Sequence, residues 1–420
     1  MSAVSALGAC SGGPAVELEP PTTLSAPTAV GAAPMFVIAP DGRRTAAWIS
    51  APGGGSDGRL YISTDGGPPT ELRDPLGAIE AHGESPPKLA YAPDGALHAL
   101  YAVAKVVPGR RFPASALRAV RSEDGGRTWS EPVTVTDAAE FGSHNFHALH
   151  ADARGIVWAS WLDGRGGKSA AYVTRSTDGG RTWAPNVRVD MGESCPCCRT
   201  AVATDPRDPS RAYMSWRTVA PGNVREVVVA ASTDGGATWG APVRAQRDGW
   251  VFEGCPHAGP ALRVDSAGRV HIAWWSGKDG AAGVFYARSD DGARTFGEPV
   301  PLGTAAFSRP AHVQLAVDGR DVVAAWDDGR VEVPRVLVRV SRDGGERFAR
   351  AITASDSARI ATYPVLTLAG GRLTIAWSER GAEADEHAAH APPPPGATGA
   401  LRSVGASQVI VREGRIEGGS

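Results

Sequence analysis

The side chains with the most reactive chemistry are four of the five cysteines and four of the ten histidines. Cys195-Pro-Cys197-Cys198 and Cys255-Pro-His257 form two short runs, and His144, His147 and His312 fall in comparable segments on either side. Two chemistries suit this set. In an oxidising compartment, Cys195, Cys197, Cys198 and Cys255 form disulfides in one of three pairings, and a bridge to Cys255 would tie two successive structural units together. Alternatively, thiolates and imidazoles on a rigid frame bind copper(I) or zinc. The candidate ligands are then Cys197, Cys198, Cys255, His144, His147 and His257. Cys-Pro-Cys-Cys is not a zinc-ribbon spacing, and one disulfide beside a His-rich metal site is a third possibility. Alternation along a strand would put Cys197 and Cys198 on opposite faces, so that only one faces a shared site.

What must position these groups is a repeat. Ser-x-Asp-Gly-Gly-x-Thr-Trp occurs around Asp124, Asp178 and Asp234, with weaker copies at Asp65, Asp291 and Asp343. The steps between successive aspartates are 59, 54, 56, 57 and 52 residues. Each copy follows an alternating apolar segment such as AAYVTRS or EVVVAAS, the pattern of a strand. Physically the box is a tight hairpin: Asp accepts backbone N–H groups, the glycines take positive φ, and Trp or Phe buries the end. A second pattern, two apolar runs about a turn with an aromatic residue closing the second, occurs seven times. It ends on Trp48, Tyr101, Trp161, Trp216, Trp274, Trp326 and Trp377.

These boxes resemble the Asp-box (BNR) repeats of sialidase-like propellers. The expected fold is therefore all-β, a seven-bladed propeller with four short antiparallel strands per blade and Asp-box hairpins. The six-bladed sialidase fold is the runner-up. The seventh unit lacks a box and needs an outer strand, which AVELEP near residue 15 would supply, closing the ring and removing its edges. Residues 34–420 then form one domain, with a low-complexity insertion at 381–404, and residues 1–33 a tether.

In such a ring the segments leading into the innermost strands make one mouth of the central channel. The Cys and His runs lie in those segments of blades three to six, so they should converge. The resemblance also implies a sialidase reading: three arginines clamping a substrate carboxylate, a Tyr nucleophile activated by Glu, and an Asp acid/base. The candidates are Arg199, Arg309, Tyr363, Glu253 and Asp163. The first arginine of that family opens an inner strand within Arg-Ile-Pro, and the matching place here, Ser85-Pro86-Pro87, has none. Arg111-Phe112-Pro113 looks similar but falls inside a loop. Trp250, Phe252 and Trp275 are expected to pack rather than to form a ligand platform.

The leading expectation is metal or small-ligand binding at the mouth, with redox chemistry open. The rivals are a sialidase-type glycoside hydrolase acting on a glycan and a scaffold for a protein partner on a propeller face. A formal charge of −2 gives no electrostatic case for nucleic acid or an anionic membrane. No run of 18 apolar residues marks a spanning helix. Leu7-Gly8-Ala9-Cys10 resembles a bacterial lipobox, which implies an extracytoplasmic protein anchored by lipid at Cys10 and touching the membrane only through it.

Overall fold

The computed structural model describes residues 15–25, 30–51, 58–80, 82–110, 113–190, 192–304, 309–331, 333–381 and 407–416. The lipobox-like stretch with Cys10, nearly all of the insertion at 381–404, and Arg111 and Phe112 lie outside them. Among the described residues there is no helix, and so none long and apolar enough to cross a membrane.

Seven antiparallel sheets make seven blades. Blades one to six occupy Val30–Leu72, Lys88–Thr134, His144–Arg188, Ala201–Arg244, Ala261–Thr304 and Gln314–Thr353 in chain order, each with four strands. Blade seven uses Arg359–Ala369, Arg372–Gly381 and Ser407–Ile416, and takes its outer strand from the other end of the chain. Val16 pairs with Ile416 and Leu18 with Gly414, so the ring closes as AVELEP predicts. First strands of successive blades touch one another round the whole circle, which makes them the innermost strands.

The seven aromatic residues read from the sequence all sit on second strands and are all buried. They fill the space between blades and supply much of the apolar area that stabilises the ring. The Asp boxes join third to fourth strands. In blade three, Asp178 Oδ1 accepts the backbone N–H groups of Arg181 and Thr182 at 3.1 and 2.9 Å, while Thr182 Oγ1 donates to Oδ2 at 2.6 Å. The same bonds recur about Asp124 and Asp291. A glycine in each box meets the preceding blade: a Cβ at Gly236 would lie 2.5 Å from the Trp158 ring. The degenerate copy departs from this pattern, since Asp65 itself takes positive φ and accepts from Arg44 N–H at 2.8 Å.

Candidate metal centre at the channel mouth

The segments preceding the inner strands are short, irregular and interlocked. Among the described residues, four of the seven non-glycine residues with positive φ lie in these segments or within the inner strands they lead into: Ala33 (55°), Phe146 (55°), His257 (50°) and Tyr363 (54°). Left-handed backbone costs an L-residue roughly 1–2 kcal/mol, so surrounding contacts must hold it. At three of the four the inner strand also slips register, between Ala32 and Met35, Asn145 and Ala148, and Thr362 and Val365. Such bulges turn side chains out of the sheet pattern and into the mouth.

The contacts that hold the mouth run through Glu84 and Ser85. Ser85 Oγ accepts the Phe146 N–H at 2.9 Å, and Phe146 O accepts the Thr200 N–H at 2.9 Å. The buried Glu84 carboxylate takes the Arg199 guanidinium, the Arg199 N–H at 3.3 Å, and the Gly259 N–H. Arg199 Nη2 also donates to Val313 O at 2.5 Å. Gly259 has no room for a side chain, because a Cβ there would stand 2.4 Å from Arg199 O. One carboxylate thus links blades two, four, five and, through Arg199, six.

Beside this knot lie the cysteines. Residues 195–198 form a turn rather than a strand, which corrects the expectation from strand alternation: Cys197 and Cys198 are not sent to opposite faces. Instead the Cys195, Cys197 and Cys198 sulfurs lie mutually within 4.8 Å, with Cys195 3.4 Å from Cys198 and 3.7 Å from Cys197. All three are buried, at 0, 3 and 0% exposure, and packed with Phe146, Leu162 and Val219. A second group shares one of these atoms: Cys197 and Cys255 sulfurs and a His257 ring nitrogen also lie mutually within 4.8 Å. Cys255 is exposed and His257 half-buried, so the second group opens to solvent. None of these four cysteines is joined in a disulfide.

Electrostatics favours negative charge on one of the three buried sulfurs, Cys195. Hydrogen bonds from the Cys197 and Cys198 thiols push the Cys195 thiol down to about 3, and the charges of Arg217 and Arg225 act in the same direction. Hydrogen bonding to Cys195 raises Cys197, and burial raises Cys198. Arg217 is buried and donates to the carbonyls of Ala258 (2.9 Å) and Trp275 (2.7 Å) while lying over the Trp250 ring. Arg225 donates to Phe252 O at 3.2 Å.

Two of the six candidate ligands stand apart from both groups. His144 meets Asp163 Oδ2 at 3.1 Å and Ala139 O at 3.0 Å, so oxygen acceptors engage both ring nitrogens. His147 is enclosed, with Nε2 3.2 Å from Leu100 O and Nδ1 3.4 Å from Ser85 Oγ, and burial pushes its pKa down to about 3. His312 is held by Asp327, with Nδ1 2.6 Å from Oδ2, and its ring lies 4.0 Å from that of Tyr363.

The sialidase candidates are only partly brought together. Arg199 and Tyr363 border one small cavity with Gly83, Pro86, His312 and Gln314; at about 10 Å³ it has room for a single water. Burial raises the Tyr363 phenol, and the charges of Asp327 and Glu84 add to this. Asp163 is bound to His144, Trp161 and Arg165. Glu253 is on the surface, where Asn223 Nδ2 donates to it at 2.6 Å. Arg309 lies against Gly329. Trp250 stacks on Phe252 and meets Trp275 edge-on, as packing predicts.

Sequence reasoning missed Glu84, although its segment leads into the inner strand of blade two. It also missed His82, whose ring lies 5.3 Å from His257, and the two arginines beside the sulfurs.

Residues 78–248 match the family described as BNR repeat-like domain. That match covers about two fifths of the chain, and the Asp-box hairpins and seven-bladed propeller extend the same kind of repeat round the ring. No curated protein matches the sequence. Among solved structures it is similar to a protein of unknown function from Dyadobacter fermentans DSM 18053, with TM-score 0.57, 14% identity, and coverage of 96% of this chain and 100% of that one. It is also similar to an ulvan lyase of polysaccharide lyase family PL25 bound to a GlcA–Rha3S ligand, with TM-score 0.56, 14% identity, and coverage of 85% and 93%. A third is polysaccharide lyase Uly1, with TM-score 0.55, 14% identity, and coverage of 93% and 91%. At these identities the likeness is one of fold.

Proposed function

We propose that this propeller binds a soft metal ion, copper(I) or zinc(II), at the Cys/His mouth of its channel. The observation that carries the reading is the convergence of Cys197, Cys255 and His257, supplied by the segments before two successive inner strands, with their ligand atoms mutually within 4.8 Å. Thiolate and imidazole donors select such ions over magnesium or calcium. The frame is rigid, because Glu84 and Arg199 pin the adjoining backbone, so little ordering cost falls on binding. A lipid anchor at Cys10 would place the mouth outside the cytoplasm. There, bound metal would also protect the thiols from oxidation.

The test is equilibrium dialysis of the reduced chain against Zn(II) and, anaerobically, against Cu(I). Stoichiometric uptake that falls at least tenfold in Cys197→Ser is expected. No uptake of either ion would overturn the reading. The sialidase reading has weaker support, because the Arg199 guanidinium is already taken by the chain's own carboxylate and Asp163 is bound elsewhere.

A further inference from the structure

We propose that the mouth holds two copper(I) ions sharing the Cys197 sulfur. The inner ion takes Cys195, Cys197 and Cys198, and the outer ion takes Cys197, Cys255 and His257. The inference rests on the soft-metal reading above and goes further by fixing the number of ions, their charge and the bridging atom.

Three observations carry it. The first is grouping. Cys197 is the single member common to the two ligand groups; Cys255 and His257 are not part of the first, nor Cys195 and Cys198 of the second. A single ion therefore cannot take all five donors from their present positions, whereas two ions can divide them. The second is spacing. Three sulfurs each about 2.3 Å from a shared ion stand about 4 Å apart. The Cys195 sulfur lies 3.4 and 3.7 Å from its two neighbours, so small outward shifts accommodate the inner ion.

The third observation is charge. Arg217 and Arg225 are both buried, Arg217 O accepts the Cys195 N–H at 2.8 Å, and both guanidiniums donate to backbone carbonyls. Neither has a carboxylate within ion-pair distance among the described residues, and Arg225 Nη1 has no hydrogen-bond partner there. Buried cations need opposing charge. Four thiolates with two monovalent ions leave two negative charges, which match two guanidiniums; two divalent ions would leave none. Binding involves no electron transfer. Each cysteine binds copper as the thiolate, any thiol proton still held being released to solvent, and copper enters and stays as Cu(I).

Burial then distinguishes the ions. The inner donors are closed off by Phe146 and Leu162, while the outer ion sits beside exposed Cys255. The outer position is thus the one that exchanges with a copper donor or acceptor, and the inner one holds the loop.

The experiment is an anaerobic titration of the reduced, metal-free full chain with Cu(I) against a chromophoric Cu(I) chelator, with Zn(II) in a parallel arm. Wild type is expected to take two equivalents, the second released at least tenfold more readily. His257→Ala and Cys195→Ser should each leave one. X-ray absorption of the loaded wild type needs no variant and is expected to show a short metal–metal path. One equivalent of Cu(I), or two without that path, overturns this inference while leaving the soft-metal reading intact. Zinc binding with no copper binding does the same. Failure to bind either ion overturns both.

Discussion

Glu84 and Arg199, 115 residues apart in sequence, form a buried ion pair at the channel mouth, and Arg199 directly follows Cys198. The pair therefore fastens the cysteine turn to blade two. Removing the carboxylate strands a buried guanidinium and also orphans the Gly259 N–H. Glu84→Ala is expected to cost about 3–5 kcal/mol of stability, read by chemical denaturation. Metal affinity should fall with it. Little loss of stability would mean that the pair is not what holds the mouth.

His312 and Asp327 give a pH signature. Burial works against the imidazolium, but the charge and hydrogen bond of Asp327 outweigh it and raise the pKa above 6.5. A raised folded pKa adds stability that is fully present below the unfolded value near 6.5 and is lost as pH rises through the folded value. Asp327→Asn should lower the His312 pKa in an NMR titration. It should also destabilise the protein more at pH 6 than at pH 9. An unmoved pKa would contradict this.

His147 has the opposite sign. Burial lowers its pKa from 6.5 to about 3, so the unfolded state binds its proton first as pH falls. The stabilisation is present above about 6.5 and declines between there and about 3. His147→Gln is expected to flatten that decline and to leave metal stoichiometry unchanged. A loss of one bound ion would show that His147 is a ligand after all.

The Asp boxes are expected to act on stability alone. Asp178→Ala removes two backbone N–H bonds and the bonds from the Thr182 and Ser176 hydroxyls, for a cost of about 1–2 kcal/mol by denaturant titration. Metal uptake should not change. A change in uptake would tie the outer hairpins to the mouth.

A fluorogenic sialoside should not be turned over. Tyr363 is half-buried against His312, and a Cβ at Gly83 would stand 2.5 Å from its ring. Turnover that disappears in Tyr363→Phe would reverse the ranking of the two functional readings.

The architecture was legible because it repeats. The seven strand-ending aromatics and the regularly spaced aspartates are local signals, and each marks a hairpin whose geometry local chemistry decides. Closure by Val16–Leu18 followed from counting strands. The mouth was legible only in part. That Cys197, Cys255 and His257 meet follows from ring geometry acting on neighbouring segments. That His144 and His147 point elsewhere does not, because Asp163 and Leu100 capture them across strands through side-chain orientation. The turn at 195–198 was read as strand because proline and three cysteines carry no periodicity. Glu84 was invisible for a further reason: a carboxylate between glycine and serine resembles any solvated loop residue until its arginine, 115 positions away, is placed beside it.

Metal content and thiol state of the protein isolated from its own compartment, with no metal added, test the metal centre most directly. The expected result is stoichiometric copper or zinc, with Cys195, Cys197, Cys198 and Cys255 all alkylatable once the metal is chelated and the chain unfolded. A metal-free protein whose four cysteines are paired in disulfides by mass spectrometry would contradict it.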